Sequence, residues 1–451
     1  MEAIARYFKF AERGTDLATE IRAGVTTFAV MAYIIFLNPL ILGVMTADGT
    51  LVGPDPVAVG AATALVAGIM TIAMGLVGNV PIAIAAGLGL NGVVAFGLIL
   101  GRGLSWQGAM GVIVIEGIVI TLLVLAGLRE AVMNAVPANL KRAIAAGIGL
   151  FILFIGAVDG GLVASTGIPV PPVGFVFPTD PKHFVMLAGL FVTLALYVMK
   201  VRAALLISIV VTTVLALATG VKPWPENFSS TVDLSTIGQF NLTEAFEKLG
   251  LVTAVLVIFS IMLSDFFDTM GTVTAVSEEA GIMTEDGKVP NLSRVLLVDS
   301  LAAVAGGVGG VSSNTSYIES AAGVGEGGRT GFTSVVTGLL FLVGIFLTPL
   351  VTLIPFEASG PVLILVGYLL FTQVTEIDVR DPEEGIPALL TMILMPLTYD
   401  ITVGIGAGFV AWVFIKLIRG KLSAIHPLMW VVTAAFLVFF GRSWLQGFIP
   451  V

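Results

Sequence analysis

Cysteine is absent from the 451 residues, which excludes disulfides and thiolate-bound metals. Histidine is nearly absent. His183 and His426 stand alone at segment edges, and a solitary imidazole makes a poor metal site. Charge is scarce too: Asp, Glu, Lys and Arg make up 11% of the chain, against about 25% in a soluble domain. So few charges cannot clothe a water-facing exterior, and the outside of the molecule is expected to be lipid. The net charge of −9 is scattered through loops with no basic stripe, so no nucleic-acid partner is expected. The sequence also lacks a Ser-His-Asp set, an HExxH, a Walker motif and a dinucleotide fingerprint. GEGGRTG at 325–331 places glycines near an arginine, but without the P-loop Lys-Ser/Thr it reads as a tight cytoplasmic turn. No cofactor and no enzyme activity are expected. With no ATPase module, uphill transport has to draw on an ion gradient.

What the sequence does contain is apolar: 57% of its residues are hydrophobic, and 53 are glycine. The first 22 residues are polar and amphipathic, which argues against a cleavable signal peptide and reads as a cytoplasmic helix on the membrane surface. A spanning helix needs about 17–25 apolar residues. Apolar segments fall near 23–46, 57–78, 82–100, 107–128, 138–157, 184–199 and 203–219, then a polar stretch at 220–247. A second set lies near 249–271, 293–309, 314–324, 332–354, 360–374, 386–397 and 400–417. A further apolar segment, 427–446, can span or lie in the interface.

Alternating these segments from a cytoplasmic N-terminus puts sixteen Lys and Arg residues inside, Arg129 among them, and four outside, with Arg442 on the last segment. The bias supports both the number of segments and the direction. Seven segments per half gives repeats of opposite orientation, a plan common among secondary transporters.

Two segments make poor spanning helices. Pro81 to Gly97 (PIAIAAGLGLNGVVAFG) and Ala305 to Gly331 (AGGVGGVSSNTSYIESAAGVGEGGRTG) each have an extended, glycine- or proline-led half. Each then carries an amide or carboxylate and a helix-like stretch. They hold the third position in their respective halves, where interrupted segments point to a midplane binding site. Glycines alone could serve close helix packing, but packing needs no Asn91, Asn314 or Glu319. Broken backbone in a bilayer has to be buried in protein or line a cavity.

Five acids fall within predicted segments: Glu116, Asp265, Asp268, Asp299 and Glu319. Each costs at least ~2.5–3.5 kcal/mol to insert, so each invites a reason. Asp265 and Asp268, in SDFFDTMGT, are three apart and share one helical face. Like charges that close repel, which suits the pair to taking up and returning a proton. Asp299 is expected to be a structural polar residue bonding the neighbouring extended segment. For Glu116, binding and structural roles stay open.

At these residues a resemblance emerges. GVTTFAVMAYIIFLNP (24–39), AGLGLNG (86–92), LKRAIAAGIGLFILFIG (140–156), FFDTMGT (266–272), SSNTSYIESAAGVGEGGRTGFT (312–333) and MPLTYDITVGI (395–405) resemble the AzgA-type purine permeases. These form the adenine/hypoxanthine/guanine branch of the nucleobase–ascorbate transporter superfamily. The resemblance implies an all-α polytopic membrane protein of fourteen transmembrane segments in two inverted repeats of seven. Segments 3 and 10 would each be a short strand plus a half-helix. After the N-terminus (1–22), a core domain would comprise 23–130 and 249–355. A gate domain would comprise 137–220 and 360–451, and 221–248 would link the halves outside.

The resemblance further implies proton-coupled purine uptake across the cell membrane, with a homodimer possible. Uracil, xanthine or an anion on the same fold is the alternative. The substrate-binding set it implies is Asn91, Asp265, Phe267, Asp268, Met270, Thr272, Glu319 and Ser320, with Asp265, Asp268 and Glu319 also coupling protons. The third segment reads AAGLGLNG where the family more often has APGMGLNA. The approach to the tenth reads GVSSNTSY where the family often has GTS. Both departures lie at the pocket's edge and bear on which purine is preferred.

Overall fold

The computed structural model describes residues 2–46, 49–128, 135–168, 171–224, 231–284 and 288–445. Arg129 and the side chain of Arg442 lie outside the described residues. Ten helices among these residues are long and apolar enough to cross a bilayer, from Leu17–Leu42 to Ile401–Ile418. Three shorter apolar helices, Leu88–Leu100, Ala204–Ala218 and Pro427–Gly441, accompany them. Eighteen residues of α-helix span about 27 Å, close to the hydrocarbon thickness. The chain is an integral, multi-pass membrane protein.

The helix starts are written in the sequence. Asp55–Pro56, Asp180–Pro181 and Asp381–Pro382 repeat one device. The aspartate accepts from first-turn N–H groups, and proline takes the first helical position, where no N–H is needed. Asp16, without the proline, caps Leu17–Met31 by accepting from Thr19 N, so the first spanning helix starts six residues before its apolar run. That shift brings in Glu20, whose buried carboxylate accepts from Arg329 N (2.9 Å), Thr330 Oγ1 (2.8 Å), Thr333 N (3.1 Å) and Thr333 Oγ1 (2.6 Å). The GGRTG turn is thus pinned to the first helix.

Ahead of it, the N-terminus forms only the short helix Glu2–Tyr7. Phe8 and Phe10 are buried and meet the Phe332 ring, so this stretch docks on the bundle instead of lying free on a membrane surface. Another departure from the all-helical expectation is a hairpin of β2 (Val163–Ser165) and β3 (Val173–Phe175), paired antiparallel. The polar stretch at 220–247 likewise runs into a short helix, Glu244–Leu249.

The two interrupted segments meet. β1 (Ile84–Ala86) pairs antiparallel with β4 (Asn314–Ser316) in the register Ile84↔Ser316, Ala85↔Thr315, Ala86↔Asn314. Gly87 N to Ser313 O (2.8 Å) and Tyr317 N to Ala83 O (2.9 Å) extend the ladder. Side chains occupy the outer edges. Thr71 Oγ1 donates to Ile84 O and accepts from Ile84 N, both at 2.9 Å, and Ser334 Oγ donates to Val80 O and Ile82 O. All six strand residues are buried, so the broken backbone is satisfied inside protein.

Against this crossing stand helices Ala138–Asp159 and Ser359–Phe371, packed through glycines. A Cβ at Gly149 would fall 2.6 Å from Gly367 O, and one at Gly367 2.6 Å from Gly149 O. Gly156 and Gly360 repeat the relation at 2.9 Å. Small residues let the two backbones touch, where lipid supplies no hydrophobic drive for association.

Candidate functional site

Each crossing strand gives way to a helix, Leu88–Gly92 after β1 and Ser320–Gly325 after β4. The first-turn N–H groups of a helix have no intrahelical acceptor. In front of these turns lies a cavity of about 110 Å³. One wall carries the cavity's polar side chains and comes from three elements: Gly87–Leu90, then Ser264, Phe267, Asp268 and Thr272 of the long helix Leu251–Glu279, then Ser316–Glu319. The opposite wall is wholly aliphatic: Ile144, Ala145 and Ile148 from one glycine-packed helix, Val366, Leu369 and Leu370 from the other.

On the long helix, positions 264, 267, 268 and 272 form one stripe at helical spacing. Asp268 is open to the cavity, and the aromatic face of Phe267 lines it beneath the Lys141 ammonium, 5.3 Å from the ring centroid. Thr272 lies on the same stripe. Asp265 is fully buried and does not line the cavity. Three residues turn a helix by about 300°, so the two aspartates diverge by about 60° and only one meets the cavity. Met270 faces away for the same reason.

Glu319 lines the cavity at the end of the strand crossing. Its Oε1 accepts from the Tyr33 hydroxyl at 2.6 Å. Tyr317 also lines the cavity, and its hydroxyl donates to Ala86 O across the crossing. Asp268, Glu319 and Asp299 lie near enough to interact electrostatically. Ser320 is fully buried and accepts from Ala83 N at 2.9 Å, so it braces the crossing and stands off the cavity wall. Asn91 is likewise buried one turn behind Leu88 and off the wall.

Asp299 holds the crossing together, accepting from Ser316 N, Ser316 Oγ and Thr269 Oγ1. Thr269 in turn meets Thr315 Oγ1 at 2.8 Å. Glu116 is fully buried within Trp106–Leu125 and does not line the cavity. Tyr33, Tyr317, Ser264 and the aliphatic wall were not in the sequence-derived set. Tyr317 alone had a local signal, as the aromatic of TSYIES beside Glu319. Chemically, the cavity offers carboxylate acceptors on one side and a flat aliphatic surface on the other. That suits a small, planar, N–H-bearing ligand.

A sequence profile of the Permease family matches residues 18–440. A guanine/hypoxanthine permease of Bacillus subtilis is 39% identical over 440 residues, covering 96% of this chain and 98% of the relative. An adenine permease of Escherichia coli is 38% identical over 438 residues, covering 96% and 95%. Among solved structures, the transmembrane domain of a cyanobacterial bicarbonate transporter superposes with a TM-score of 0.64 at 16% identity, covering 86% of this chain and 96% of that one. At that identity the likeness is one of fold.

Proposed function

The chain belongs to the Permease family, and from that premise we propose that it carries purine nucleobases (adenine, hypoxanthine or guanine) across the cell membrane with protons. It is a transporter, not an enzyme. The observation that carries the substrate class is the placement of Asp268 and Glu319 on one wall of a half-open cavity whose other wall is aliphatic. Ionised carboxylates only accept hydrogen bonds, and a purine ring offers N–H donors in its own plane. An anionic cargo would meet like charge there. A site built on such bonds discriminates sharply, because a ligand without the N–H leaves buried acceptors unpaired.

In this reading, fourteen segments form two inverted repeats, with a core domain (segments 1–4 and 8–11) carrying the cargo past a gate domain (5–7 and 12–14). The pairing of β1 with β4 supports it, since these strands belong to the third and tenth segments. The ion pairs support the alternation of the segments. Arg102–Asp400 joins two groups assigned to the outside, and Arg142–Glu376 and Arg202–Glu326 join groups assigned to the inside. Of the three acids implied for coupling (Asp265, Asp268 and Glu319), Asp268 is the one that takes up the proton carried with the cargo and gives it up on the far side, being open to the cavity while Glu319 is held by Tyr33.

The test is uptake of radiolabelled adenine, hypoxanthine and guanine into cells or proteoliposomes, with and without a protonophore. Saturable uptake that collapses with the protonophore is expected. Uptake indifferent to the protonophore overturns proton coupling. Inhibition by uracil or xanthine in place of the three bases overturns the cargo.

A further inference from the structure

Tyr33 sits where the first spanning helix is interrupted, between Leu17–Met31 and Ile34–Leu42. Its side chain is fully buried, and its hydroxyl lies 2.6 Å from Glu319 Oε1 across 286 residues of sequence. A phenylalanine would fill the same volume without a polar atom to desolvate. The hydroxyl therefore has no packing role, and it is tolerated in this apolar setting because it has a partner.

Glu319 needs that partner. It stands at the N-cap position of Ser320–Gly325, yet its side chain makes no cap hydrogen bond. Its neighbours in the lining, Tyr317 and Ser316, are committed elsewhere, the Tyr317 hydroxyl to Ala86 O and Ser316 to Asp299, and the nearby Lys141 ammonium lies over the Phe267 ring. Tyr33 is the one side chain that hydrogen-bonds Glu319 among the described residues.

We propose that Tyr33 is the positioning residue of the binding carboxylate: its hydroxyl engages Oε1 of Glu319 and presents Oε2 to the cavity as the acceptor for a purine ring N–H. The inference rests on the purine reading of this site. An ionised carboxylate is acceptor-only, so the phenol donates, and the short O–H···O⁻ bond fixes the plane of the carboxylate before cargo arrives. Cargo then meets one aimed oxygen instead of a rotating pair, and less side-chain freedom is lost on binding.

The experiment compares the wild type with Tyr33→Phe and with 3-fluorotyrosine at position 33, which keeps ring and hydroxyl and strengthens the donor. Purine binding by the wild type is measured first. Its absence removes the purine reading, whereas binding that Tyr33→Phe leaves unchanged removes only this proposal. The expected result for Tyr33→Phe is a KM raised about tenfold, as for loss of a hydrogen bond to a charged group. Its uptake rate at saturation should stay within about twofold of wild type, because the bond is made before and during transport alike.

Infrared difference spectra on substrate addition supply a second readout. The carboxylate band that disappears in Glu319→Gln should shift in Tyr33→Phe and move the opposite way with fluorotyrosine. A band that stays in place in the fluorotyrosine protein, which retains the native packing, overturns the proposal. So does a fall in saturated rate with KM unchanged.

Discussion

The carboxylate of Asp299 holds Ser316 twice, through the backbone N–H at 3.0 Å and the hydroxyl at 2.8 Å. With the Thr269 hydroxyl at 2.6 Å it ties helix Leu292–Gly309 to β4 and to the long helix. Asp299→Ala would leave these buried donors unpaired, at a cost of about 3 kcal/mol. Thermal unfolding of the purified variant should show a clear drop. A normal unfolding temperature with lost binding would make Asp299 a ligand instead.

The two carboxylates on the cavity wall should behave differently from Asp299 and from each other. Glu319→Ala is expected to abolish purine binding while the protein unfolds within a few degrees of wild type. Asp268→Asn is expected to impair uptake more than equilibrium binding. Both are read by pairing radioligand binding with uptake, and unimpaired uptake by Glu319→Ala would remove the site from this cavity.

At the glycine contact, Gly367→Leu drives a side chain into the Gly149 carbonyl, which a backbone cannot evade cheaply. Overpacking of this kind costs about 1–3 kcal/mol or more. Gly271→Ala is the control, since a Cβ there meets nothing within 4 Å. It should unfold at or slightly above the wild-type temperature, alanine being the better helix former. Equal unfolding temperatures for the two variants would refute the packing argument.

The largest legible source of stability against acid is Glu383. Hydrogen bonds from Lys421, Lys416 and Arg419 hold the Glu383 carboxyl down to about 2, against an ordinary value of 4.5. A depressed folded pKa stabilises the fold fully above the unfolded value and is lost as pH falls from about 4.5 toward about 2. Unfolding temperature should therefore decline through that window, and less steeply in Glu383→Gln. Parallel curves for the two proteins would assign the decline to other groups.

Much of this was legible in the sequence because it depends on local pattern. Apolar run lengths marked the spanning helices, and the Pro81 and Gly306–Gly310 interruptions marked the strands that cross. What escaped depends on contacts distant in sequence. Glu20 caps a helix at Thr333, 313 residues away, and nothing around it distinguishes a buried carboxylate from a loop one. Tyr33 reads as one more aromatic in an apolar run until Glu319 is placed beside it. The spacing of Asp265 and Asp268 brought both near the site, but which one meets the cavity depends on how the long helix is rotated, and neighbours set that. The hairpin at 163–175 escaped because its β-branched residues sit among prolines and glycines that read as loop.

The bare face formed by Ile144, Ile148, Val366 and Leu369 has a mechanical meaning. Since each directional bond to a cargo would come from the facing wall, the aliphatic surface can act as a bearing. Displacement of one wall past the other would shear only dispersion contacts, which re-form at each position, and the passenger would keep its whole set of attachments throughout the stroke.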